Sequence, residues 1–262
     1  MTQTTQDSAQ AVVAPSEFDI EHHLPGGWGE GFSGRLLFWI AVSFSVFQIY
    51  TAIFAPIATQ VLRAVHVGFL VLVACALVAN HSAPTALRKA LIWAFGLAGF
   101  GMGLYHWIFY FDLVNAAGDL SRADLIIGVS SLVILFAISW RLMGAALPLI
   151  CLGFIAYAAW GHLLPRPFDH RPFDIEQIIE QLSFGTEGIY ATPTGISATY
   201  IYLFILFGAF LERAGMIQLF NDVALGLVGS SRGGAAKVAV ISSALMGTIS
   251  GSGVANVVTV GQ

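Results

Sequence analysis

Charged side chains are scarce in this sequence. Of its 262 residues only 10% are Asp, Glu, Lys or Arg, while 57% are hydrophobic and the mean hydropathy is +0.79. Soluble domains carry about 25% charged residues, so a water-soluble fold of this length would lack the polar side chains to cover its surface. A surface facing hydrocarbon has no such need. Basic residues are not in excess either: 11 Lys and Arg stand against 15 Asp and Glu, which removes nucleic acid from the partners to consider. The two cysteines, Cys75 and Cys151, lie inside apolar runs and read as small buried side chains, with no spacing for a disulfide or a metal site. No basic segment precedes a short apolar stretch at the N-terminus, so no cleavable signal peptide is expected. A nucleophile with a matched base is also missing, which argues against a membrane-embedded enzyme.

Long apolar runs are what the sequence has instead. A helix needs about 20 mostly apolar residues to cross a hydrocarbon core of roughly 30 Å. Six runs meet that need: Leu36–Phe54, Val61–Ala79, Ala90–Ile108, Leu125–Trp140, Ala145–Leu164 and Thr194–Leu211. The fold class expected is therefore an all-α integral membrane protein. Residues 1–34 are polar and carry Asp7, Glu17, Asp19, Glu21 and Glu30; they read as a loosely ordered tail, in which His22 and His23 are solvated rather than metal-bound. With this tail in the cytoplasm, Arg35, Arg88, Lys89, Arg141, Arg213, Arg232 and Lys237 fall inside, and Arg63, Arg122, Arg166 and Arg171 outside. That bias favours a cytoplasmic N-terminus.

Two shorter segments are amphipathic. Asp174 followed by Gln177 resembles a capping box, after which Ile175, Ile178, Ile179 and Leu182 share a helical face suited to the membrane surface. After the sixth span Met216, Phe220, Val223 and Leu227 share a face, and Asn221 and Asp222 do not.

The most informative residues come last. The apolar leg from Lys237 to Met246 spans about 15 Å at 1.5 Å per residue, half a bilayer. Gly247, Thr248, Ile249, Ser250, Gly251, Ser252 and Gly253 then interrupt it, and a second apolar leg begins at Val254. Broken helices at membrane depth persist only where protein or a water-filled cavity satisfies the backbone. In secondary transporters such breaks form the binding site. Ser250, Ser252 and Asn256 supply oxygen ligands of the kind hard cations take. A re-entrant hairpin is expected here, with Gly247, Thr248, Ser250, Gly251, Ser252, Gly253 and Asn256 as its ion- and substrate-binding tip. The other reading is a glycine-rich helix packed on a neighbour, since Gly247 and Gly251 form a G-x-x-x-G.

At these residues the sequence resembles a known family. Leu203–Gly215 and Arg232–Asn256 look like the large membrane subunit of the tripartite ATP-independent periplasmic (TRAP) transporters, while Phe47–Thr51, Arg63–His66 and Thr186–Gly188 look like the subclass in which small and large permease subunits are fused. The resemblance implies a Q-like four-helix scaffold over residues 35–143 and the N-terminal part of an M-like transport domain over 144–262. It implies a sodium-driven elevator in the bacterial inner membrane, Na+ being the coupling ion with no other cofactor. The implied partners are a periplasmic solute-binding protein, of TAXI type in many fused members, and the remainder of a longer permease carrying a second hairpin. Residues 1–262 alone are accordingly not expected to transport. Ala137–Arg141 departs from the subclass, which commonly carries more charge there.

Glu187, at the outer edge of the sixth span, has two readings, a carboxylate on the substrate path or an exposed loop acid. His66 and His106 read as hydrogen-bonded packing residues, and Asp124 and Arg141 as anchors at the ends of the fourth span. Import of small organic anions such as carboxylates is the leading function; a scaffold subunit without its own site is the alternative, and an enzyme a weaker one. The orientation gives the first prediction: a cysteine at position 170 reacts with an impermeant thiol reagent from outside and one at position 85 does not. The reverse pattern would overturn it.

Overall fold

The computed structural model describes residues 31–54, 57–82, 85–116 and 118–249. The tail with His22 and His23, the tip residues Ser250, Gly251, Ser252, Gly253 and Asn256, and the second leg from Val254 lie outside the described residues. The chain forms two compact units, Met1–Gly195 and Ile196–Gln262. The described residues contain no strand, and six of their helical segments are long and apolar enough to cross a membrane. This is a multi-pass, all-α membrane protein.

In the first unit, α1 (Gly31–Phe54), α2 (Thr59–Ser82), α3 (Ala86–Ile108) and α5 (Arg122–Met143) have 24, 24, 23 and 22 residues. At 1.5 Å per residue they measure about 33–36 Å, slightly more than the hydrocarbon core. Each begins before the apolar run that announced it: α1 starts at Gly31 rather than Leu36, and α5 at Arg122 rather than Leu125. Hydropathy marks only the part of a helix in hydrocarbon, and the backbone continues until a cap stops it. Ser121 caps α5, its hydroxyl accepting from the Asp124 N–H at 3.2 Å while the Ser121 N–H donates to Asp124 Oδ2 at 2.9 Å. Between α3 and α5 lies the short α4 (Tyr110–Asn115). The fifth span consists of α6 (Ala146–Trp160) and a 3-10 turn, Gly161–Leu163.

The centre of this unit is α2. Half of its most apolar stretch is buried, against 22% for α1 and α3 and 17% for α5. Lipid tails are as apolar as leucine, so helices in a bilayer associate through close packing rather than hydrophobic exclusion. Glycines provide that packing between α2 and α3. A Cβ at Gly99 would lie 2.2 Å from Val71 Cγ1, and one at Gly103 would lie 2.7 Å from the Ala64 carbonyl oxygen. Val71 and Cys75 of α2 and Ile134 of α5 form the buried cluster beside this seam. On the other side Phe44 of α1 stacks on Phe69 of α2 at 4.9 Å, and Phe69 meets Phe100 of α3 at 4.7 Å.

The amphipathic segment is α7 (Ile175–Ser183), with the Asp174 N–H donating to Gln177 Oε1 at 3.4 Å. Ile179 and Ser183 are its buried positions, whereas Ile175 is exposed. α8 (Thr192–Ile196) opens the sixth span, which runs to Leu211. Residues Ser197–Ile201 of that span are π-helical, which no periodicity in the sequence announced. The second unit continues with α9 (Tyr202–Arg213), α10 (Met216–Val228) and α11 (Gly234–Met246).

The α2–α3 seam yields the second prediction. At Gly103 the obstacle to a side chain is backbone, which cannot rotate away, so Gly103→Leu forces the helices apart at a cost of about 1–3 kcal/mol. A Cβ at Gly101 meets nothing within 4 Å, so Gly101→Leu is the matched control. Thermal unfolding in detergent should show a lowered midpoint for the first and an unchanged one for the second; equal midpoints would refute the seam.

Candidate functional site

The segment expected to carry the site belongs to the second unit. Gly233 takes a left-handed φ of +73°, a conformation glycine adopts without steric cost, and the chain turns there from α10 into α11. α11 has 13 residues, about 20 Å at 1.5 Å per residue, which is too short to cross a core of about 30 Å. The two helices pack on one another through Ala224 and Ser242, both buried. The Ser242 hydroxyl donates to Asn221 Oδ1.

This arrangement differs from the amphipathic face drawn for 216–227. Val223 and Leu227 of that face are exposed in the unit, and Asn221, placed off it, is the residue turned towards α11. The reason is the solvent. Valine and leucine lose nothing by facing lipid, whereas an amide in hydrocarbon needs a partner. Polar residues in otherwise apolar helices were the available signal for this pair.

Beyond Met246 the helix closes into a turn. The N–H of Gly247 donates to the Ser243 carbonyl at 2.9 Å, that of Thr248 to Leu245 at 3.0 Å and that of Ile249 to Met246 at 3.1 Å. The Thr248 hydroxyl also donates to the Leu245 carbonyl at 2.6 Å, which leaves its oxygen lone pairs outward. Gly247 and Thr248 are exposed. The turn backs onto the sixth span, where a Cβ at Gly208 would lie 2.5 Å from the Ile249 carbonyl oxygen. Chemically this is a helix C-terminus, the negative end of the helix dipole, next to an outward hydroxyl oxygen. Such a terminus suits a cation. Gly247 and Thr248 are the tip residues within the described chain.

Glu187 lies in the first unit, exposed on the turn that joins Phe184 to Tyr190. Its surroundings form a polar clamp that sequence reading did not assemble. Ser183 Oγ donates to the Gly128 carbonyl at 2.9 Å, and His106 Nε2 faces the Ser183 carbonyl at 3.1 Å. Gln60 Nε2 donates to the Phe184 carbonyl, and Arg63 Nη1 to the Tyr190 carbonyl at 2.8 Å. The Arg63 Nε lies so close to Gly195 that a Cβ there would be 2.7 Å away. Side chains of α2 and α3 thus hold the backbone of residues 183–190, which leads into the sixth span. Tyr190 is buried at 2% exposure, and burial pushes its phenol above the usual tyrosine range. His106 is a hydrogen-bonded packing residue in this clamp. His66 pairs with Gln48 of α1, its Nδ1 lying 2.5 Å from Gln48 Nε2.

A family model described as the tripartite ATP-independent periplasmic transporter, DctM component, matches residues 127–262, more than half of the chain. The chain belongs to this family. It is the membrane permease component of a TRAP transporter, and the matched region takes in both the glycine-rich tip and the clamped turn. No curated protein and no solved structure matches the chain.

The clamp gives the third prediction. Replacing Arg63 of this TRAP permease by Met removes a charged hydrogen bond to the buried Tyr190 carbonyl, worth about 1.5–3 kcal/mol. Thermal unfolding should start earlier, and proteolysis within 184–192 should speed up. Wild-type protection of that turn would show that Arg63 does not hold it.

Proposed function

We propose that this TRAP permease imports small organic anions, carboxylates among them, by sodium-coupled transport in the bacterial inner membrane, with its N-terminus in the cytoplasm. A periplasmic solute-binding protein, of TAXI type in this reading, delivers the substrate. Residues 35–143 act as the Q-like scaffold and 144–262 as the first part of the M-like transport domain, completed by the remainder of the permease.

The observation that carries this reading is the geometry of α11. It is too short to span, ends in a glycine turn, and presses that turn against Gly208 of the sixth span. A helix that stops short of a full span has to offer its last carbonyls to something other than lipid, and a desolvated Na+ is a fitting occupant. Gly247, Thr248, Ser250, Gly251, Ser252, Gly253 and Asn256 form this half of the cation and substrate site, with Ser250, Ser252 and Asn256 as its oxygen ligands. Glu187 is assigned to the outer path.

Proteoliposomes with the complete permease and its binding protein test this. Uptake should require an inward sodium gradient and fall about ten- to a hundredfold on Ser252→Ala or Asn256→Ala, the loss expected for one contact to a charged group. Uptake unchanged by collapse of the gradient would remove sodium coupling; wild-type uptake by both variants would remove the site.

A further inference from the structure

Two cavities of the first unit meet at one cationic point. The first, about 210 Å³, lies among α2, α3 and α5 and is lined by Cys75 of the buried cluster and by Ile92, Phe95 and Ile138, which pack against that cluster. Arg88, in the first turn of α3, and Arg141, in the last turn of α5, both line it. The second, about 720 Å³, runs between α5 and α6, lined by residues such as Val133, Phe136 and Leu152. It shares Ala137 and Arg141 with the first. No carboxylate lines either cavity, and among the described residues neither arginine makes an ion pair.

Each half of this arrangement is ordinary. A lone arginine at a helix end snorkels to the interface, and an apolar groove on a membrane helix faces lipid. Their combination is specific. Arg141 lines both apolar cavities, which lie on either side of α5, and Arg88 lines the first of them. A guanidinium matches phosphate oxygens with a planar pair of donors, and basic pockets between membrane helices take anionic headgroups. The N-terminus of the 23-residue α3, beside Arg88, adds partial positive charge. A ligand that fits has one anionic head and two diverging apolar tails.

We propose that the Arg88–Arg141 rim holds the phosphate of an anionic two-chain phospholipid of the membrane, with one acyl chain in the α2–α3–α5 cavity and the other in the α5–α6 groove. A free phosphate would satisfy the rim and leave both channels without an occupant; an apolar peptide would fill one channel and leave the arginines unpaired. The site lies within the first unit, and it stands whatever the coupling ion or substrate.

The test is native mass spectrometry of the complete, delipidated permease titrated with phosphatidylglycerol and, in parallel, with phosphatidylcholine. The parent should bind phosphatidylglycerol in preference, Arg88→Ala/Arg141→Ala should weaken that binding at least about tenfold, and Arg88→Lys/Arg141→Lys should keep part of it. Equal binding by parent and double alanine variant, equal binding of the two lipids, or release by excess inorganic phosphate alone would each overturn the proposal. A second measurement covers the case in which the alanine variants fail to fold. In Cys151→Ser protein, Cys75 is the sole cysteine of this chain and lines the first cavity. Phosphatidylglycerol should slow its reaction with N-ethylmaleimide several-fold and phosphatidylcholine should not. Identical rates with both lipids would overturn the proposal independently.

Discussion

In hydrocarbon an unpaired backbone carbonyl costs several kcal/mol, so any stretch of chain that leaves helical geometry inside a membrane protein has to find partners for its peptide groups. Two stretches here do so by different means. The turn 184–190 takes side-chain donors from elsewhere: Gln60 and Arg63 of α2 donate to the carbonyls of Phe184 and Tyr190, and the His106 ring of α3 packs against the Ser183 carbonyl. The turn 247–249 closes its N–H groups on its own helix and leaves oxygen outward. The first solution makes a rigid support; the second leaves acceptors free for a ligand.

The support and the glycine seam depend on each other. Gln60 and Arg63 can reach the 184–190 turn only from a helix held in a fixed register, and the approach of α3 at Gly99 and Gly103 fixes it. Ser183 meets the Gly128 carbonyl because Gly128 is bare: a Cβ there would lie 2.7 Å from Ile179 Cγ2. Small residues on α3 and α5 therefore let α2 and α7 come close enough for polar groups to pair.

Much of this was legible in the sequence. Six apolar runs gave six spans because hydrocarbon thickness sets a length that no soluble helix has to meet. Ser121 with Asp124 and Asp174 with Gln177 are local pairings, three residues apart, and the Asp174 box was read directly. The short leg before Gly247 stood out for the same reason, its length against the bilayer. Partnerships across the chain were not legible. His106 and Ser183 stand 77 residues apart, and Arg63 and Tyr190 stand 127 apart. A polar side chain in an apolar run says that a partner exists and carries no sign of which one. The π-helical stretch 197–201 was hidden for another reason, since a locally widened helix keeps the same apolar composition.

The distance between Arg63 and Tyr190 has a temporal side. A ribosome adds about 5–20 residues per second, so α2 leaves it on the order of ten seconds before the carbonyl that Arg63 will hold has been made. During that interval Gln60, Arg63 and His106 are already part of inserted or inserting helices, and their final acceptors do not yet exist. The clamp that stiffens the finished permease can therefore close only after residues 183–190 have been made.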